Sequence, residues 1–281
     1  MKSKQFVKSP IMIFVILWMI LSCIAYIAVP TDNEYFWWIA YIFYLSAPTV
    51  AVIFLFYLVK FYGFKSIEGK VWGLIAVALL LWCIGEWMWF YYAQVIESDP
   101  FPSAADYLYI AGYAPLLLGF YFKASESVVK TTAEKPKTRK EKVKWMRAKR
   151  VKRKRAFIIL AAVIATSVII GIFIISPTMQ AEDYGTMEKS FSIAYPVLDI
   201  VLLVLGMIIL AAFWDTKTGS TGWKLFSLGI VAMTTADIIF SSLDWEGIYY
   251  AQMDLLWIAS YLLFLAGGAY QYLFHKSLMG E

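Results

Sequence analysis

Histidine is almost missing from this chain: among 281 residues there is one, His275, close to the end of the last apolar run. A single imidazole there excludes His-based zinc or haem ligation within a set of membrane spans. It equally excludes a Ser-His-acid triad anywhere else in the chain. Cysteine is nearly as scarce. Cys23 and Cys83 both lie inside apolar runs, imply no disulfide framework, and read as small buried hydrophobes. No phosphate-binding glycine loop occurs. Charged residues make up only 16% of the chain, against 61% apolar, and a soluble domain of this size does not have that balance. Of the hydrolytic chemistries only a carboxylate pair survives, and no aspartate sits in the "YD" or "GxGD" context of intramembrane aspartyl proteases. The expectation is no enzyme and no cofactor.

What the chain does have is length of apolar sequence. Eight windows are long enough to cross a bilayer as helices, at about 11–30, 35–60, 71–96, 104–123, 156–177, 189–214, 223–243 and 252–274. They are continuous and lack period-two alternation, which excludes strands, and backbone groups in lipid must pair within their own segment. Lys2, Lys4 and Lys8 precede the first run as in a signal peptide. That run is longer than a signal core and has no small-residue cleavage site, so a retained first helix is expected. The fold class predicted is all-α integral membrane.

Basic residues sort to one side. Of the 25 Lys and Arg, all but Lys189 fall at the N-terminus, after spans two, four and six, or at the C-terminus. The positive-inside rule then predicts a multi-pass cell-membrane protein with both termini cytoplasmic. Asp32, Glu34, Glu97, Asp99, Glu182, Asp183, Glu188, Asp244 and Glu246 fall in the opposite loops, so the outer mouth is expected to concentrate cations. Residues 123–155 carry 15 basic and 3 acidic side chains, a net charge of +12. Such a cytoplasmic linker fixes topology and attracts anionic lipid. Trp145 and Met146 suit the interface if part of it is helical. No RNA- or DNA-binding motif accompanies the charge, so nucleic acid is not an expected partner.

The linker separates two similar halves, 1–123 and 156–281. "DYLYIAGY" (106–113) matches "DLLWIASY" (254–261) at five of eight positions, with Tyr109 aligned to Trp257. Gly119 and Gly267 follow at the same distance. Trp72 precedes Glu86 by 14 residues and Trp223 precedes Asp237 by 14, while Pro48 and Pro196 hold comparable places. Four spans per half is an even number, so the expected arrangement is two parallel four-helix repeats about an axis along the membrane normal, with a ligand site at their interface.

Five carboxylates lie in or at the edges of spans: Glu86, Asp106, Asp199, Asp237 and Asp254. A carboxylate at such a depth costs a few kcal/mol and faces the bundle interior. Each also has an ordinary structural explanation. Ser103-Ala-Ala-Asp106 is a capping box, Asp254 begins a helix and favours its dipole, and Asp199 fits the first turns of span six. For Glu86 and Asp237 that explanation is a buried contact with Thr234, Thr235, Gln94 or a tyrosine hydroxyl. Glu86 lies in "GEWMWFYYAQ" (85–94), and on a helix Trp82, Trp89 and Phe90 share its face. Acid plus aromatic faces is the composition of an organic-cation site. Trp87, Tyr91 and Tyr92 read as an interface belt. If Glu86 and Asp237 meet across the axis, two carboxylates in low dielectric do not both ionise readily. A cation from the acidic mouth would then replace a shared proton and draw the halves together.

"PSAADYLYIAGY" (102–113), "AYPVLD" (194–199), "TADIIFS" (235–241) and "DLLWIASYLLFLAG" (254–267) resemble a recurrent prokaryotic module. It is the multi-helix membrane region N-terminal to GGDEF/EAL proteins and to some bacterial and archaeal histidine kinases. The resemblance implies a membrane-embedded sensory input domain, with Asp106, Asp199, Asp237 and Asp254 at the matching positions. Those proteins continue into an output domain, whereas this sequence stops at Glu281, so a signal is expected to pass to a cytoplasmic partner or through the basic loop. The candidate binding residues are therefore Glu86, Asp237, Asp199, Asp106, Asp254, Trp82 and Trp89, for a small cationic ligand. The alternative is a cation- or proton-coupled transporter using the same acids.

Overall fold

In the computed structural model the described residues are 6–132, 138, 146, 161, 164–182, 184–214, 220–244 and 250–280. Every element among them is helical. In chain order these are α1 (Pro10–Ala28), α2 (Phe36–Tyr62), α3 (Ile67–Phe90, continued by a π-helical turn Tyr91–Ile96), α4 (Ala104–Thr132), α5 (Ile164–Gln180, with a π-helical turn at Gly171–Ile175), α6 (Thr186–Phe213), α7 (Thr221–Asp244) and α8 (Asp254–Leu278). Of these, α1, α2, α3, α6, α7 and α8 are long and apolar enough to cross a membrane. The other two expected spans are helical but fall short of that measure. α4 carries Asp106, four tyrosines and Lys123, and α5 is a shorter apolar helix whose expected start at 156 lies outside the described residues. α4 also runs on to Thr132, past the expected edge at 123. Nearly all the rest of the expected 124–155 linker lies outside the described residues.

The helix ends follow from their local chemistry. The Ser9 hydroxyl accepts from the Met12 N–H with Pro10 in the first turn, and Ser66 does the same for Gly69 at the start of α3 at 2.9 Å. Gly63, at φ 80°, stops α2 in a conformation that costs a glycine little.

Six helices close a ring. α2 packs on α3, α3 on α4, α4 on α6, α6 on α7, α7 on α8, and α8 back on α2. Each half of the sequence thus contributes three consecutive helices in the same order. Outside the ring, α1 lies on α8 and α2, and α5 lies on α6 and α7. The burial differs sharply: 72% of the apolar window of α8 is buried against 17% of that of α1. α8 is therefore the inner helix, and α1 turns an apolar face of Ile13, Leu17, Ile20 and Ile24 outward.

One end of the ring is filled. Trp72 from α3 stacks on Trp223 from α7 with ring centroids 4.7 Å apart. Phe226 lies against Trp72, against Phe120 of α4 at 5.5 Å and against Phe264 of α8 at 4.4 Å. All are almost wholly buried, and Leu55, Leu58, Ile75, Leu79 and Leu116 complete the packing. Lys123 caps this plug. Its ammonium sits 4.8 Å over the Trp223 ring and pairs with Glu68 at 2.6 Å. Phe6 packs on Tyr270, so the described chain begins and ends at this same end.

α7 and α8 approach most closely through two glycines. A Cβ on Gly267 would stand 2.7 Å from the Gly222 carbonyl oxygen, and one on Gly222 would stand 2.6 Å from that of Gly267. Backbone cannot move aside as a side chain can, so Gly267→Ala is expected to lower stability by ~1–3 kcal/mol. Gly73→Ala, whose added methyl meets nothing closer than 4.0 Å, is expected to leave it unchanged or slightly raised. Thermal unfolding of the purified protein in detergent compares the two.

Candidate functional site

At the end opposite the plug the ring encloses a cavity of 590 Å³. Its charged lining is one-signed: Glu86, Asp99, Asp106, Glu188, Asp237 and Asp254, with no Lys, Arg or His among the described residues. Asp99 and Glu188 belong to the connections before α4 and at the start of α6, which the sequence assigned to the outer face. The remaining walls are mostly aromatic.

Each of the five acids singled out in the sequence is held by an aromatic side chain. Glu86, on α3, accepts three phenol hydroxyls. Tyr44 of α2 and Tyr109 of α4 donate to Oε2 at 2.9 and 3.0 Å, and Tyr261 of α8 donates to Oε1 at 2.9 Å. Asp237, on α7, accepts at Oδ1 from the Trp257 indole of α8 at 2.7 Å. Asp199, on α6, accepts at Oδ1 from Tyr113 of α4 at 2.6 Å. Asp106 accepts at Oδ1 from Tyr195 of α6 at 2.7 Å, and Asp254 accepts from Tyr26 of α1 at 2.9 Å. Burying a carboxylate demands such partners, and a hydroxyl on a long rigid ring delivers a donor from a neighbouring helix without exposing backbone.

The donors follow the internal match between the halves. Tyr109 and Trp257 are aligned positions, and each serves the acid of the preceding helix, Glu86 or Asp237. Tyr113 and Tyr261 are aligned too, and each crosses to the other half, Tyr113 to Asp199 and Tyr261 to Glu86. Asp106 and Asp254 take their hydroxyls from Tyr195 and Tyr26, again each from the opposite half.

The structure brings Glu86, Asp237, Asp106, Asp254, Trp82 and Trp89 to one cavity wall. Asp199 is not on that wall. It lies well inside α6 rather than in its first turns, 1% exposed, behind Tyr113. It interacts electrostatically with Asp237, which in turn feels Glu86. The capping box at Ser103 is present. The Ser103 N–H donates to Asp106 Oδ2 at 2.6 Å and Ala105 N–H to Ser103 Oγ at 3.2 Å. Asp106 thus caps a helix with one oxygen and joins the halves with the other.

The aromatic face predicted around Glu86 divides. Trp89 lines the cavity, and Trp82 does so while spending its N–H on the Tyr109 carbonyl at 2.9 Å. Phe90 turns away, to a separate outer groove of 330 Å³ with Trp38 and Trp87. The π-helical turn that begins at Tyr91 carries Ala93 and Gln94 onto the cavity wall instead. Thr234 and Thr235 bond back to their own helix, at Ile230 O and Val231 O, and do not serve Asp237. What sequence reasoning missed is the set of named donors, Tyr26, Tyr44, Tyr109, Tyr113, Tyr195, Tyr261 and Trp257. The repeat match offered one signal for them, because four of the seven fall in the paired "DYLYIAGY" and "DLLWIASY" segments.

Among the described residues no three His, Cys, Asp or Glu side chains converge as a metal-ion site. Chemically, the arrangement offers carboxylate oxygens and ring faces to a positively charged ligand.

Glu86→Ala leaves three hydroxyls without their acceptor and opens a void. It is expected to destabilise the protein by several-fold more than Tyr261→Phe, which deletes one bond of ~1–3 kcal/mol. Glu86→Gln is expected to fall between them, since an amide keeps one acceptor oxygen. Thermal midpoints of the three variants test the order. No protein-family model, curated protein or solved structure matches this chain.

Proposed function

We propose that the chain is a multi-pass membrane protein built as two parallel four-helix repeats, 1–123 and 156–281, that binds a small cationic ligand from outside and reports its presence. In this reading all eight helices span the bilayer, both termini are cytoplasmic, and the acidic mouth at Asp99 and Glu188 faces outward. The support for the repeats is the ring order and the exchanged tyrosine donors. The support for the orientation is the distribution of Lys and Arg. The basic 124–155 linker then lies at the cytoplasmic surface, where anionic lipid and a signalling partner are available to it.

The observation that carries the reading is the one-sidedness of the cavity. It opens between acids at one end, its lining reaches no deeper than Trp82, Tyr113, Met233 and Tyr261, and the buried packing around the Trp72–Trp223 stack fills the ring beyond them. A binding protein needs one opening, whereas a transporter must also open to the other side in a second arrangement of its repeats. At the plug's far side Lys123 and Glu68 neutralise each other at 2.6 Å. We read the site as one of binding rather than catalysis: Glu86, Asp106, Asp237 and Asp254 each accept from a phenol or indole, and the one histidine stands at the far end. The likeness of residues 102–113, 194–199, 235–241 and 254–267 to prokaryotic membrane input regions points the same way. Ligand entry between the halves shifts whatever equilibrium exists between their arrangements by its differential affinity for the two.

The cation- or proton-coupled transporter is the competing reading, and side-specific labelling separates them. In a background with Cys23 and Cys83 replaced by Ala, Ser192→Cys places a thiol on the cavity wall and Lys140→Cys one in the linker. A membrane-impermeant thiol reagent is expected to reach position 192 from outside only and position 140 from inside only. Labelling of position 192 from both sides overturns the one-sided reading, and outside-only labelling of position 140 overturns the topology.

A further inference from the structure

The two central acids, aligned in the repeat, are not equivalent. Glu86 has three of its lone-pair positions taken by hydroxyls and is 6% exposed. Asp237 has one bond, from Trp257 to Oδ1. Asp237 lines the cavity, and its Oδ2 has no hydrogen-bond partner among the described residues. Asp199 on the neighbouring α6, 1% exposed, interacts electrostatically with Asp237 and has Oδ1 on Tyr113 and Oδ2 with no partner among the described residues. Two interacting carboxylates, each with an unclaimed oxygen, in an apolar bundle, make a place where positive charge is missing.

The surroundings say what kind of charge fits. Trp257 forms one wall, with Phe240 edge-on to it at 5.7 Å and Tyr44 at 6.4 Å. Met233 also lines the cavity. Hard metal ions gather six or more oxygens, whereas among the described residues no three acids converge on one point and phenols cover part of them. A volume of 590 Å³ is that of a small-molecule pocket, far beyond a bare ion. Ring faces beside a free carboxylate oxygen are the environment of an ammonium group on an organic body.

We propose that the ligand is an organic ammonium compound, that Asp237 backed by Asp199 is its counter-ion, and that Glu86 positions the cavity walls without pairing to the ligand. This rests on the cavity being the ligand site. Trp257 supplies a ring face to the ammonium and orients Asp237, and the acids at Asp99 and Glu188 raise the local cation concentration at the mouth.

The test is a thermal-shift titration of the full-length protein in detergent, at fixed ionic strength, with choline chloride and 2-phenylethylammonium chloride as probes. Sodium and calcium chloride are the controls. At least one organic cation is expected to give a saturable rise in melting temperature that neither inorganic salt gives. Asp237→Asn is expected to weaken that binding roughly tenfold or more, and Trp257→Leu about 3–30-fold. Asp199→Asn, which leaves the cavity wall intact, is expected to weaken it as well. Glu86→Gln is expected to lower the melting temperature yet keep the saturable shift, and Asp32→Asn to change neither. The proposal is overturned if calcium or sodium stabilises where both organic cations do not, or if neither probe binds. It is also overturned if Glu86→Gln removes the shift while Asp237→Asn and Asp199→Asn keep it. Failure of both probes with position 192 still labelled from outside alone defeats the ammonium assignment and spares the one-sided cavity. Labelling of position 192 from both sides defeats the latter whatever binds.

Discussion

A carboxylate within an apolar bundle has to be surrounded by donors, and the rest of this structure is arranged around that need at Glu86. Removing the charge from water costs several kcal/mol on membrane-insertion scales. Each hydrogen bond to a charged group returns about 1.5–3 kcal/mol, so three donors cover that cost at Glu86 with margin, whereas the single donors at Asp237 and Asp199 leave little or none. Those three come from α2, α4 and α8, which fixes the height and rotation of four helices against a single side chain. The Tyr261 bond ties the second half of the sequence to the first at their interface, and the same ring is a cavity wall. Stability and site geometry are therefore set by the same contacts.

The second half repeats the device with different atoms. An indole has one N–H, and at Asp237 it replaces the phenol that its counterpart Tyr109 supplies to Glu86. No hydroxyl from the first half reaches Asp237 as Tyr261 reaches Glu86, because the corresponding tyrosine, Tyr113, is spent on Asp199. Repetition of the helices without repetition of the donor count leaves one acid saturated and the other open. Such an asymmetry is a general route by which a duplicated frame acquires a single site.

The helices and the five acids were legible because they are anomalies of composition: long apolar runs, and charges inside them. The Trp72 and Trp223 match was legible from spacing alone, and the two rings meet in the plug. The donors were not, because a tyrosine near the end of a span looks the same whether it serves an interface or a buried acid. Phe90 was misplaced for a different reason. Phe90 stands in the regular part of α3, about 40° round the helix from Glu86 on the side opposite Trp82 and Trp89, and the cavity takes only the flank of the two tryptophans. Asp199 was placed too near a helix end because α6 begins at Thr186, earlier than its apolar run. α4 reads as less apolar than its neighbours because the side chains that lower its hydropathy, its tyrosines and Asp106, include the ones that hold the halves together.

The burial of α8 has a consequence for the order of events during synthesis. It follows the other seven helices in the chain, yet it lies innermost, packing on α2 and α7 of the ring and on α1. It also brings Tyr261 to Glu86, Trp257 to Asp237 and Asp254 to Tyr26. Synthesis delivers Glu86 with only two of its three hydroxyls available, and Asp237 without its indole. Until α8 is in place, the nascent bundle holds under-partnered acids around an unfilled slot, the kind of intermediate on which chaperones and quality-control proteases act. Closure of the ring is thus committed late, by one helix, and a ribosome that stalls before residue 254 leaves α1 to α7 without it.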